Sequence, residues 1–208
     1  MGEDTSFTAE PRSGRREQNK AENRTALLKA ARAVFAEMGF GAASVRDIVR
    51  RTDLASGTFY NYFPDKETVF RALVEERVVP LRAAVREARW DGDSLRSLVR
   101  SGFRAYFEFI ASDPALLELL QRNTGAIRTL IGTPVLDAGV DELLEDVQAA
   151  IARGDPPPVD AEYLTGAMAG VAYELATLMV ERRPPDVEGA ATFATDLFLG
   201  GIARMAGG

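Results

Sequence analysis

Residues 54–63 read LASGTFYNYF, a run in which small hydroxyl residues lead directly into four aromatics. Ser56, Gly57 and Thr58 would open a helix, and the amides and hydroxyls of such an end can meet phosphate oxygens. Their small size lets that end approach a partner closely. Tyr60, Asn61 and Tyr62 follow as amphipathic groups able to bond a phosphate or touch a base edge. Phe59 and Phe63 lie four apart, so they share one helix face and pack inward on the first helix of the chain. One face anchors and the other reads. Elsewhere the chemistry is sparse. Glu118 and Glu174 could act as an acid–base pair only if one cleft held both. The chain contains no cysteine and no histidine, which excludes disulfides, thiolate nucleophiles and His-based triads. It also removes the usual zinc and copper ligands, so no metal site is expected, and no cofactor.

At 208 residues, 46% hydrophobic and 27% charged, the chain has ordinary globular composition and can bury a sizeable core. The net charge of −6 is unevenly distributed. Between residues 12 and 51 ten Lys/Arg face four acids, whereas from residue 64 onward fifteen Lys/Arg face 23 acids. A basic end that meets a polyanion and an acidic body that does not would explain this asymmetry. A chance cluster of solvated charge would also explain it. The N-terminus lacks an apolar leader, so no secretory signal is expected, and the absence of cysteine suits a reducing cytoplasm. The longest apolar stretch, residues 163–180, carries Glu174 and two glycines, so it reads as a buried helix rather than a membrane span.

These side chains must be positioned by helices. Residues 1–22 are polar and nearly aperiodic and read as a disordered basic arm. A first helix is expected over 23–38, from the spacing of Leu27, Ala31, Val34 and Met38, with Gly39 as its stop. Ser44 and Asp47 form a capping-box pattern for a second helix, which Thr52-Asp53 breaks. Ser56 is expected to cap a third helix through Tyr62, ended by Pro64, and Asp65 a long fourth one with Glu67 in its first turn. Pro80 should kink or divide that helix before about residue 90. Further helices are expected at 94–111, 114–130, 134–153, 160–182 and 187–205, and no strand, so the fold class is all-α.

Three short helices at the basic end, the last two joined by a tight turn, have the dimensions of a helix-turn-helix. The segment from Arg24 to Phe70 resembles the DNA-binding domain of the TetR family of transcriptional repressors. The resemblance is carried by Phe35 to Phe40 (FxxxGF), Ser44-Val45-Arg46-Asp47-Ile48, Gly57-Thr58-Phe59-Tyr60, Tyr62-Phe63 and Lys66-Glu67. It departs at Thr52-Asp53, where the family has a small residue and Gly, and at Val49, where it usually has Ala. The resemblance implies a helix-turn-helix domain over 23–68 with its motif at about 44–63, and a helical ligand-binding and dimerisation domain over 69–208. It implies that Ser44 and Arg46 touch DNA at the start of the second helix. Gly57, Thr58, Tyr60, Asn61 and Tyr62 would line the recognition helix with Ser56, and Lys66 would hold a phosphate. Arg50 and Arg51 stand open between DNA contact and solvated surface. So do the arm cations Arg12, Arg15, Arg16 and Lys20.

In the C-terminal half, Phe103, Tyr106 and Phe107 are either core or the wall of a pocket for an apolar effector. Glu118, Arg122, Asn123, Tyr173 and Glu174 are its polar candidates. Gly166, Ala169, Gly170, Ala194 and Gly201 let helix axes approach closely, and the resemblance places such helices in a homodimer interface. The leading expectation is a cytoplasmic, ligand-responsive repressor that binds a palindromic DNA operator as a homodimer, with no membrane partner. In it the fourth helix, pivoting near Pro80, spreads the two readers when effector binds. A carboxylate-based enzyme and a dimerisation module without DNA binding are the alternatives.

Overall fold

The computed structural model of the chain describes residues 12–90, 94–123, 125–127, 134–154 and 159–206. It divides into two compact units, Met1–Ala72 and Leu73–Gly208. Helices account for almost all of the described residues, and no strand occurs among them.

In the first unit, α1 is Arg12–Ala42, α2 is Val45–Val49 and α3 is Ser56–Tyr60, and α4 (Lys66–Trp90) begins there. The helix α1 starts eleven residues earlier than the sequence pattern suggests, so residues 12–22 are helical rather than a disordered arm; residues 1–11 lie outside the described residues. Residues 14–22 are exposed, so no burial marks their helicity in the sequence. The backbone leaves helical geometry at Gly39 (φ 76°, ψ 158°), as expected of a residue without a Cβ at positive φ. Leu27, Ala31, Val34 and Phe35 are fully buried, and the ring of Phe35 meets those of Phe40 (5.6 Å) and Phe70 (5.3 Å). Ser44 caps α2 in a complete capping box with Asp47. The third helix departs from expectation: its N-cap is Ala55, without a side-chain cap bond, and Ser56 is already helical. It closes at Tyr60, with Asn61 as C-cap. Asp65 caps α4 by accepting from the Thr68 amide at 2.7 Å.

The second unit holds the rest of α4, then α5 (Leu95–Ser112), α6 (Pro114–Arg122), α7 (Pro134–Ala152), α8 (Ala161–Glu181) and α9 (Val187–Ala206). The helix α4 passes through Pro80 undivided, so of the expected kink or division the division does not occur. Proline removes one amide donor from the ladder but fits the helical φ, so a helix can continue through it. The sixth helix closes at Arg122 and residues 125–127 are helical again, within the expected 114–130; at the interruption Asn123 turns its amide back onto the helix end, donating Nδ2–H to the Leu119 carbonyl at 2.6 Å. The core is built from Val99, Phe103, Phe107 and Ile110 of α5 against Leu116, Leu117, Met168, Ala176, Met179 and Phe198. Phe103 stacks on both Phe107 (6.1 Å) and Phe198 (5.8 Å).

Helix α8 is long and apolar enough to cross a membrane, yet only 28% of its most apolar stretch is buried. The expected buried helix is therefore buried along one face only. The other face presents Tyr163, Gly166, Gly170, Glu174 and Leu178, and Tyr163 is 81% exposed. Glu174, the one charge in the stretch, reaches solvent.

Candidate nucleic-acid interface and ligand cavity

In the first unit the two faces of α3 separate as their residue types require. Phe59 is fully buried and its ring packs on Phe63 at 5.9 Å. The Arg24 guanidinium lies 5.6 Å from the centre of the Phe63 ring, so α1 is the platform for this anchor. On the opposite side Ser56, Gly57, Tyr60 and Asn61 are exposed, and Tyr60 keeps 59% of its surface in solvent. A methyl group at Gly57 would meet open space, so nothing in the unit obstructs the end of the helix. Thr58 and Tyr62 are half-buried. The arrangement leaves amides, hydroxyls and a phenol on one unobstructed surface, which is the donor set that phosphate and base-edge recognition uses.

Arg46 and Arg50 are exposed beside this surface on α2. Arg51 is held by Glu37 through two hydrogen bonds, one of 2.8 Å from Nη1. That pairing, between residues fourteen apart, one on α1 and one in the turn after α2, had no signal in the sequence. The Ser44 hydroxyl is engaged in its own capping box, donating to Asp47 Oδ2 and accepting from the Asp47 amide at 3.3 Å. Lys66 departs further from its expected role. Its Nζ donates to the carbonyls of Phe40 (2.9 Å) and Ala43 (3.1 Å) and sits 4.4 Å above the Phe40 ring. It closes the chain end between α1 and α2 rather than presenting a free ammonium.

Three carboxylates of this unit ionise more readily than usual. Glu37 is lowered chiefly by its hydrogen bond with Arg51, Asp47 by the Ser44 hydroxyl, and Asp65 by its bond with Thr68.

The second unit holds a partly open cavity of about 420 Å³. Its wall is mainly aliphatic and aromatic, from Val78 and Leu81 on α4 through Phe103 on α5 to Met168 and Phe198. That size and lining are those of a site for a small apolar ligand. Of the residues expected to bind a ligand, Phe103, Tyr106 and Tyr173 line it. Phe107 does not: it is fully buried behind Phe103 as core. Glu118 and Arg122 are exposed and face each other across 3.9 Å, and Glu174 is exposed, so none of the three reaches the wall. Asn123 is buried as the helix stop described above. Burial pushes the Tyr106 phenol up to about 12, aided by neighbouring Tyr173, so it is a neutral donor at any ordinary pH.

Sequence reasoning missed the charged part of the wall. Arg82 on α4 and Glu142 on α7 both line the cavity, joined Nη2 to Oε1 at 2.6 Å, and Asp146 lines it one turn beyond Glu142. The pair is sixty residues apart in the chain, on two stretches that read as ordinary solvated charge.

Of the small residues expected at a dimer interface, Gly166, Gly170 and Gly201 are exposed and a methyl group on any of them would meet open space. Ala194 is instead fully buried within its own chain, and Ala169 lines the cavity. Small residues face inward here as well as outward, because α5 packs closely on α9, so residue size alone does not mark an interface. Beside the exposed glycines stand Leu178 of α8 and Phe193, Leu197 and Met205 of α9, all exposed.

The fold and the exposed α3 surface define a helical protein with a helix-turn-helix in its N-terminal unit and a cavity in its C-terminal one. Residues 27–73 match the family described as bacterial regulatory proteins, tetR family, which covers the whole motif. The N-terminal unit thus resembles the DNA-binding part of that family, over 47 of the 208 residues. Solved structures share its fold over most of its length. The fatty acid degradation regulator FadR from Bacillus halodurans is 23% identical, with a TM-score of 0.69 over 86% of this chain and 95% of that one. FadR from Bacillus subtilis, solved in complex with stearoyl-CoA, is 21% identical, with a TM-score of 0.69 over 84% and 96%. A TetR-like transcriptional regulator from Rhodococcus sp. RHA1 is 22% identical, with a TM-score of 0.68 over 94% and 99%.

Proposed function

We propose that this chain is a ligand-responsive repressor, acting in the cytoplasm as a homodimer on a palindromic DNA operator and released by a small apolar effector. Arg46, Ser56, Gly57, Thr58, Tyr60, Asn61 and Tyr62 contact the operator, with Ser44 contributing through the helix end that it caps. Two recognition helices read half-sites about one DNA turn, roughly 34–36 Å, apart, so the operator is an inverted repeat. The effector occupies the C-terminal cavity and shifts the balance between two conformers by its differential affinity for them. Pro80 is not needed as a break for this; α4 is continuous through it.

The observation that carries the ligand-responsive part is the largely apolar cavity of about 420 Å³ lined by residues of one unit. The apolar, glycine-rich faces of α8 and α9 support self-association, since exposed Tyr163, Leu178, Phe193 and Leu197 bury area only against a partner. An acid–base enzyme built on Glu118 and Glu174 loses its support, because neither lines the cavity.

Selection of bound duplexes from a random DNA pool at near-physiological salt tests the reader. Recovery of one inverted repeat supports it; binding without sequence preference that fades as salt rises leaves only backbone electrostatics. The dimer is tested by Leu197→Glu, which should shift the sedimenting species from dimer to monomer. A wild-type chain that sediments as a monomer refutes that part.

A further inference from the structure

The charged pair in the cavity wall narrows the chemistry of the effector. Arg82 and Glu142 satisfy each other through Nη2 and Oε1 only. Their remaining inner atoms, Arg82 Nε and Glu142 Oε2, are buried and have no hydrogen-bond partner among the described residues. A buried donor and a buried acceptor left open on one ion pair are expensive, and each wants a complementary group. The backbone fixes where they stand: a Cβ at Gly139 would lie 3.3 Å from Arg82 Cγ and 3.5 Å from its Cδ, so α7 runs directly against the arginine stem.

We infer that the effector is an uncharged amphiphile whose head carries an acceptor and a donor side by side, a primary amide being the simplest case. This rests on the reading of the cavity as the effector site. The head's carbonyl accepts from Arg82 Nε–H, and its N–H donates to Glu142 Oε2. The tail lies against Val78, Leu81, Phe103 and Met168. Charged heads fit worse for stated reasons. A carboxylate or phosphate can accept from Arg82, the single cation among the described lining residues, but it offers no donor to Glu142 Oε2 and sets its charge beside Glu142 and Asp146. An ammonium can approach the carboxylates but offers nothing to Arg82 Nε–H and is repelled by the guanidinium. The neighbouring phenol of Tyr106 stays neutral and supplies no charge to either.

Calorimetric titration of the full-length protein at neutral pH with decanamide, decanoate and decylamine, which share one tail, tests this. Decanamide should bind at least about tenfold tighter than either charged analogue, the usual scale for one satisfied buried polar pair. The double variant Arg82→Met/Glu142→Leu, which keeps the volume and removes both charges, should lose that preference and bind decanamide about tenfold more weakly. Gly139→Ala, a milder change that presses on the arginine stem, should narrow the preference in the same direction. Wild-type protein that prefers decanoate or decylamine, or a preference for decanamide that survives the double variant, overturns the inference while leaving the cavity as the ligand site. Failure of all three probes to bind overturns the cavity reading itself, and this inference with it. The control Ala172→Trp, which fills the cavity, separates the cases: it should abolish binding of every probe that the wild type accepts.

Discussion

Replacing Lys66 with methionine separates two roles that this lysine could play. Methionine keeps most of the stem and its packing against Phe40 but deletes the ammonium. Two hydrogen bonds from a charged donor, to the Phe40 and Ala43 carbonyls at 2.9 and 3.1 Å, then disappear. Bonds to charged groups contribute about 1.5–3 kcal/mol each, and half-exposure of the site argues for the low end, because water reaches the abandoned carbonyls. The contact over the Phe40 ring adds about 0.5–1 kcal/mol. The loss should be about 3.5–4 kcal/mol, concentrated where α1 meets α2. Hydrogen exchange on the full-length protein reads it directly, as faster opening of the amides over residues 40–49 with little change in the second unit. Operator binding supplies the opposing readout. A lysine that holds a phosphate contributes about one to the slope of log K against log salt, and its removal weakens binding without loosening the fold. Lys66→Met should leave that slope unchanged. A slope reduced by about one, with unaltered exchange at 40–49, would falsify the clamp and restore the phosphate contact.

Phe59→Ala, at a fully buried anchor, should destabilise the N-terminal unit by about 3–5 kcal/mol, whereas Tyr60→Phe should leave melting unchanged and weaken operator binding; equal effects of the two on melting would sink the division of α3 into two faces. Glu37, Asp47 and Asp65 all have lowered folded-state pKa values, so the stability they contribute is present above the unfolded carboxylate range near 4 and is lost as pH falls through the folded values. The exchange protection of α2 and of the start of α4 should therefore weaken as pH falls below about 4, and Asp47→Asn and Asp65→Asn variants with the wild-type acid profile would contradict the capping roles given to these side chains. Tyr106 has its pKa raised to about 12, so its contribution is complete below the unfolded value near 10 and disappears as pH climbs through the folded one. Ultraviolet titration should show late-ionising phenols, Tyr173 being raised by burial as well, and Tyr106→Phe should remove the latest of them; a variant titrating like the wild type would mean that the ring is not buried.

Much of the N-terminal unit was legible because its signals are local. Ser44 with Asp47, Asp65 with Glu67, and Gly39 after a periodic apolar run are short-range instructions that act within a few residues. The inward placement of Phe59 and Phe63 followed from a spacing of four. Cap assignment failed at Ser56, because a serine one position downstream of an extended residue serves equally well inside the first turn. Long-range partners were not legible. Arg51 with Glu37, Lys66 with the Phe40 and Ala43 carbonyls, and Arg82 with Glu142 each join segments far apart in the chain, and no periodicity encodes which group meets which. For the same reason Phe103 and Phe107, one turn apart on α5, could not be sorted into cavity wall and core.

Residues 12–22 as helix have a consequence for how the basic end can act. A disordered arm of that length can reach about 36 Å but must be ordered on contact, at about 1–2 kcal/mol per residue. As helix it spans only about 16 Å and is already ordered. Arg16, Lys20 and Arg24 recur every four residues and so form one stripe, whose last guanidinium lies 5.6 Å from the Phe63 ring centre at the foot of the reading motif. The segment behaves as a short rod with its charges at set intervals rather than as a searching tail. Its reach is small, its grip is immediate, and the path it can lay along a phosphate backbone is set by the direction of α1.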